Sequence, residues 1–273
     1  MEKRNNQRKI QQRARKRRMR RLVIFLYRLV CIGIFALAIL LVGKWYQSFQ
    51  KGYTGQRNAI TLEQLAEEEY PESLIALWEK NPEAQNFVLN YPKNKDKDVE
   101  IDLAGEVTKG TIPLFLQWDE RWGYETYGND FLAVTGCGPT CLSMVRCGLS
   151  GDTEWNPLKV AEMAEKQGYY VEGAGSSWEL MSGGAEQLGL TVYSVIFDAE
   201  HIISALESGN PIICAMRPGD FTTTGHFIVL AGVDEGGKVI VRDPNSRINS
   251  ETSWEVKDLI PQIKNLWGYG YQD

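Results

Sequence analysis

GHFIVLAGVDEGGKVIVRDPN, residues 225–245, reads as two β-strands joined by a turn. HFIVLAGV and KVIVRD are rich in β-branched and aliphatic residues, and the run Asp234-Glu235-Gly236-Gly237 between them carries turn chemistry. A four-residue loop sets Val233 opposite Lys238 and, counted back along both strands, Asp243 opposite Ile228. Asp243 is then one diagonal step from His226. Residues two apart on a strand share a face, so both side chains should project the same way at the open end of the hairpin. Working outward, TVYSVIF (191–197) and PIICAMR (211–217) read as further strands, each bounded by Gly, Pro or Asp. Upstream lie helices: residues 139–145, entered at Cys137-Gly138; one begun by Asn156-Pro157; one capped by Ser176 or Ser177 and stopped at Gly189; one from Asp198 to Gly209. Helices first and antiparallel strands later predict an α+β fold.

The chain has five cysteines and two histidines, His201 and His226. A thiol nucleophile needs a neighbouring base and gains from a helix N-terminus, whose free N–H groups favour thiolate. In TGCGPTCLSMV (135–145), Cys137 precedes a glycine that permits close approach and a proline suited to a first helical turn. Cys141, Cys147 and Cys214 fall within a helix, at its end and in an apolar strand, and read as small buried residues. Cys137 as nucleophile, His226 as base and Asp243 as the group that orients the imidazole form a coherent set. Bracing the DPNS turn is the structural alternative for Asp243. His201 reads as a surface residue of an amphipathic helix.

The runs IPLFLQWDERWGYETYG, TGCGPTCLSMV, GSSWELM, GDFTTTGHFIVLAG and VIVRDPNS resemble, in that order, the papain-like cysteine peptidases grouped with the bacteriocin-processing, double-glycine-leader peptidases. The resemblance spans residues 112–267. It implies a papain-like fold, with a helical half carrying the cysteine and an antiparallel sheet carrying histidine and aspartate. The same resemblance implies Cys137 as nucleophile, His226 as general base then acid, Asp243 as orienting residue and Gln117 as side-chain oxyanion donor. Gln117 stands farther ahead of the cysteine than in the export-transporter members, a spacing that suits the stand-alone, membrane-anchored members. Its alternative role is that of a loop-bracing amide. Trp118, Trp122 and Trp178 are candidates for cleft wall or core.

The net charge of −5 averages two unlike regions. Residues 1–21 hold eleven Lys/Arg against Glu2, whereas the chain from residue 29 onward holds 18 basic and 34 acidic residues. Between them LVIFLYRLVCIGIFALAILLV (22–42) is apolar except for Arg28 and as a helix would reach about 31 Å, the thickness of a bilayer core. Arg28 is close enough to one end to snorkel. Basic flanks stay cytoplasmic, so the expectation is a cell-membrane protein with a single-pass anchor, its N-terminus inside and its catalytic part outside, and the resemblance implies a bacterial one. A signal peptide cut after Ala36-Leu37-Ala38 is the competitor. The basic tail should meet anionic lipid headgroups; nucleic acid is not expected as a partner.

These readings divide the chain into a basic tail (1–21), a transmembrane helix (22–43), a helical stalk (44–92), a linker (93–111) and the peptidase domain (112–273). In the stalk, Thr61-Leu62-Glu63-Gln64 has capping-box form, Pro71 starts PESLIALWEK, and Asn81-Pro82 starts PEAQNFVLN, ended before Pro92. Its apolar residues should pack on the domain that follows or, alternatively, bind a partner. No His-Glu-x-x-His, paired Cys-x-x-Cys, nucleotide loop or Gly-x-Ser-x-Gly elbow occurs, so no metal or cofactor is expected. The expected activity is hydrolysis of peptide bonds in a peptide or protein substrate. The alternatives are a cell-wall peptidoglycan amidase or endopeptidase using the same triad, and a non-catalytic peptide-binding module.

Overall fold

The computed structural model describes Leu65 and residues 70–272. The expected membrane span, the basic tail and the helix expected to open at Thr61 lie outside the described residues. Among the described residues no helix is long and apolar enough to cross a membrane.

Helix α1, Glu72–Lys80, is followed by a 3-10 turn, Pro82–Ala84, whose first free N–H, on Glu83, is taken by the Asn81 side chain at 2.9 Å. Helix α2, Gln85–Asn94, runs through Pro92 instead of ending before it. Proline sits there in the last turn, where its missing N–H costs a single ladder bond. The apolar residues of these helices pack on the domain that follows, the first of the two expectations for them. Leu74, Phe87 and Val88 are buried, the Phe87 ring stacks on Tyr124 at 4.2 Å between centroids, and the Tyr124 hydroxyl donates to the Phe87 carbonyl at 2.7 Å. Residues 93–111, expected to be a linker, are drawn in too: Leu103 joins the main core, and Gly110 N donates to Gly148 O at 2.8 Å. The compact unit accordingly begins at Leu65, well before residue 112.

Strands β1, Thr126–Tyr127, and β2, Asp130–Phe131, form a small hairpin ahead of the short helix α3, Leu132–Thr135. Helix α4, Cys137–Ser150, is longer than its sequence suggested and is buried on every side from Gly138 to Gly148. A helix buried all round belongs at the centre of a core, and its one charged side chain, Arg146, is satisfied there by Leu188 O and Asp152. It ends at Gly151, whose φ of +82° is the left-handed closure that glycine allows. Helix α5, Pro157–Lys166, follows, capped by Asn156. After strands β3, Tyr170–Val171, and β4, Gly175–Ser176, the single helix expected up to Gly189 is split at Ser182. It becomes a 3-10 turn, Trp178–Met181, and helix α6, Gly183–Gln187.

The remaining elements are strand β5, Leu190–Tyr193; helix α7, Ala199–Glu207; strands β6, Ile212–Met216, β7, His226–Val233, and β8, Val239–Arg242; helix α8, Arg247–Glu251; strand β9, Ser253–Trp254; helix α9, Val256–Leu259; and strand β10, Ile263–Tyr271. Among the described residues six strands form one antiparallel sheet, ordered β5-β10-β6-β7-β8-β9. Strand β5 stops at Tyr193, short of the expected Phe197; Ile196 and Phe197 are exposed and have no strand to pair with.

Alternation along β6 and β7 sends Ile213, Ala215, Phe227 and Val229 toward α4, and Ile212, Cys214, Met216, Ile228 and Leu230 toward α7. Both faces of the central sheet are thus covered, which is why these strands read as nearly unbroken apolar runs. The layering fixes α4 against the strand that begins at His226.

Candidate active site

Cys137 is the first residue of α4. Gly136 turns the chain into the helix, and Pro139 occupies a first-turn position where no intrahelical N–H bond is lost. Gly138 is needed for close approach, because a Cβ there would collide with the Ser176 hydroxyl and crowd Met181. From the sheet side, His226 opens β7. Its Nε2 lies 2.7 Å from Asp243 Oδ1, and the two side chains retain only 8% and 1% of their accessible surface. With Nε2 engaged, Nδ1 is the ring nitrogen left for Cys137.

Asp243 is held from several directions. Oδ1 also accepts from Asn245 N, Oδ2 accepts from Asn249 Nδ2, and Asp243 N donates to the Ser250 hydroxyl, each at 2.8 Å. It therefore braces its turn and holds the imidazole together; the two roles weighed in the sequence coexist. The hairpin register behind this pairing is right at the site and off by one at the turn. Val233 pairs with Val239 rather than Lys238, and a shift between Leu230 and Gly232 restores the pairing of Val229 with Arg242.

Electrostatics separate the four described thiols, all of them free. Burial alone would raise the Cys137 thiol, but the hydrogen bond and positive charge of His226, with the Phe227 and Gly138 N–H groups, outweigh it and bring Cys137 below its ordinary value. Burial would likewise lower the imidazole. The Asp243 carboxylate and the Cys137 thiolate override it and push His226 up to about 10. Cys141 and Cys214 have no such partner, and burial raises both. Cys147 is also raised by burial, against a weaker opposing bond to Ser143. The two shifts, thiol down and imidazole up, favour the thiolate–imidazolium form of the pair, a nucleophile with an acid beside it.

Gln117 is buried on the approach to Cys137. Its Nε2 donates to Ala133 O at 2.7 Å and, more weakly, to Val134 O at 3.4 Å, while its Oε1 has no partner among the described residues. It makes no hydrogen bond to Cys137. As placed, the amide braces the segment that leads into α4. Trp122 is fully buried and donates to Leu116 O at 2.8 Å, and Trp118 is buried against the Asp243 loop through Asn245 O; Trp178 alone of the three is substantially exposed. His201 is exposed beside Asp198. Sequence reasoning did not find Asn249, whose amide completes the shell around Asp243; its only signal was a position six residues past the aspartate, at the start of a short capped helix.

A thiol at a helix start, an imidazole at the end of an adjacent antiparallel sheet and a carboxylate behind it are the parts of a cysteine hydrolase, and the mixed α+β architecture fits a papain-like fold. The family model of the Peptidase_C39 like family matches residues 109–271. The chain belongs to that family, and at the family level it is a cysteine peptidase, which implies a peptide or protein substrate. No curated protein matches the chain.

Proposed function

We propose that the protein is a membrane-anchored, extracytoplasmic peptidase that cleaves peptide bonds through Cys137, His226 and Asp243. The observation that carries the chemistry is the alignment of Cys137, His226 and Asp243 across the junction of α4 and β7, with the 2.7 Å contact behind the imidazole. The Cys137 thiolate attacks the amide carbonyl carbon and forms a thioester. The imidazolium of His226 gives its Nδ1 proton to the departing amine. A water then adds to the thioester: one proton goes to His226, the hydroxyl stays on the acyl carbon, and the released thiolate again faces an imidazolium.

The Cys137 backbone N–H, free at the start of α4, is the first oxyanion donor, an interaction commonly worth about 3 kcal/mol. Gln117 is the second. Its Nε2 carries two hydrogens in one rigid plane: one is committed to Ala133 O, and the other, only weakly engaged by Val134 O at 3.4 Å, is the one available to an oxyanion. Membrane attachment rests on the apolar run 22–42 behind eleven basic residues. The acidic part beyond it would be repelled by anionic wall polymers, which favours peptide or protein substrates over peptidoglycan.

Full-length protein should hydrolyse peptides, and Cys137→Ala or His226→Ala should abolish turnover with the fold retained. Turnover surviving in either variant would sink the mechanism. Comparison of surface proteins from cells carrying active or Cys137→Ala enzyme identifies substrates, and a change confined to released wall fragments would favour the peptidoglycan alternative. Protease added outside intact cells should digest the region beyond Lys44; full protection would overturn the orientation.

A further inference from the structure

The loop that carries Asp243 is gripped by residues that lie outside the stretch matched by the family. Asn81 Nδ2 donates to Asn245 O at 2.8 Å and to Asn245 Oδ1 at 2.9 Å. Two residues on, the Glu83 carboxylate acts as a cap in trans for α8. Its Oε1 accepts from the Ser246 hydroxyl at 2.5 Å, and its Oε2 accepts from Arg247 N at 2.8 Å and Ile248 N at 3.4 Å. These are N–H groups that the first turn of α8 would otherwise leave free. Ser246 itself caps Asn249 N. The same loop and helix supply Asn245 N and Asn249 Nδ2, which bond the two oxygens of Asp243. Asn81 and Glu83 therefore hold the two groups that hold the carboxylate.

We propose that Asn81 and Glu83 are positioning residues for the His226–Asp243 pair, so that the segment ahead of the family domain is a working part of the site. This rests on the peptidase reading for its effect on turnover, but not for its effect on the imidazole. The contacts span more than 160 residues of sequence and touch Asp243 only through Asn245 and Asn249. Loss of Glu83 frees the start of α8, lets Asn249 drift and leaves Asp243 to swing from Nε2. The fold survives this better than the alignment does, because the packing of α1 and α2 rests on Leu74, Phe87 and Val88 instead.

The test uses the full chain with 15N-labelled histidine. With only two histidines, the ring signals of His226 and His201 are easily assigned through a His201→Gln control. In Glu83→Ala, the His226 titration midpoint should fall by about one pH unit or more while His201 stays in place. In the same variant kcat should drop about tenfold with KM within about twofold. Glu83→Gln should recover most of both, since its carbonyl can take the α8 N–H groups and its amide can donate to Ser246. Asn81→Asp keeps the cap on Glu83 N and loses the donor to Asn245; it should lower the midpoint too, and it decides the matter if Glu83→Ala does not fold. An unchanged His226 midpoint in the folded variants, or equal effects of Glu83→Ala and Glu83→Gln, would overturn the proposal. If wild-type protein shows no Cys137-dependent hydrolysis and the midpoint still moves, the peptidase reading fails and the positioning role stands.

Discussion

Replacing His226 by Gln keeps an amide of similar size against Asp243 and removes the charge that holds Cys137 as thiolate. Near pH 7 an unassisted cysteine is only a few per cent thiolate, whereas in Cys137 the bond and charge of His226 lower the thiol and raise that share. A fully ionised Cys137 would lose about 30-fold in reactive species. Burial then adds to it, since the neighbouring Cys141 and Cys214 show which way an unpaired thiol moves here. The assay is alkylation of the full-length protein by iodoacetamide from pH 5 to 10, with the modified cysteine located by mass spectrometry. Wild-type Cys137 should react at a nearly level rate across the neutral range. In His226→Gln the rate should start well below the wild-type rate at pH 7, by about 30-fold if the wild-type thiol is fully ionised, and climb about tenfold per pH unit. Cys147 and Cys214 should react slowly in both. Equal Cys137 rates in the two proteins from pH 6 to 8 would refute the thiolate–imidazolium pair, and with it the assigned base.

Stability should carry the mark of the same pair. His226 is raised in the folded state, so its contribution is complete below the ordinary histidine value of about 6.5 and is lost as pH rises through about 10. Cys137 is lowered, so its contribution is present above the ordinary thiol value and is lost as pH falls through the folded one. Between about 6.5 and 8.5 the two contributions oppose each other, that of His226 falling and that of Cys137 rising with pH. Denaturant midpoints measured against pH should therefore show a plateau attributable to the pair, falling on both sides, and His226→Gln should remove that component. Phe87→Ala should destabilise the unit by about 3–5 kcal/mol in urea unfolding, because it removes a buried ring stacked on Tyr124. A loss below about 1 kcal/mol would mean that α2 is not part of the folded unit.

The hairpin from His226 to Asp243 was readable because turn chemistry and alternation are local signals, and the diagonal placement of the two residues came out right. It did so through two departures that cancel: a longer turn and a shift beside Ala231. Strand β10 is not legible in the sequence. Gly268 and Gly270 weaken its β-propensity, and its real signal, Trp267, Tyr269 and Tyr271 at every second position, gains meaning only once β5 and β6 lie on either side. The opposite error occurred at residues 194–197, where apolar β-formers have no partner strand. The apolar residues of the 70–92 helices pack on the following domain as expected, whereas 93–111 reads as a linker because its charged surface hides isolated anchors such as Leu103, whose burial depends on a core formed much later in the chain. Gln117, Asn81 and Glu83 lay beyond local reasoning for the same cause, since each acts on a backbone segment distant in sequence.

The placement of β10 also bears on when the protein can become active. The strand lies between β5 and β6, although it is the last element in chain order among the described residues. A growing chain that has already delivered Cys137, His226 and Asp243 still lacks the middle of its sheet, and β5 and β6 have only each other's open edges to face. Such non-local closure is slow and comes late in folding. A polypeptide that emerges N-terminus first would thus carry all three reacting groups before it had a rigid wall to hold them. On the proposed reading, a chain still lacking residues 263–271 should not hydrolyse peptides, its own unfolded segments included.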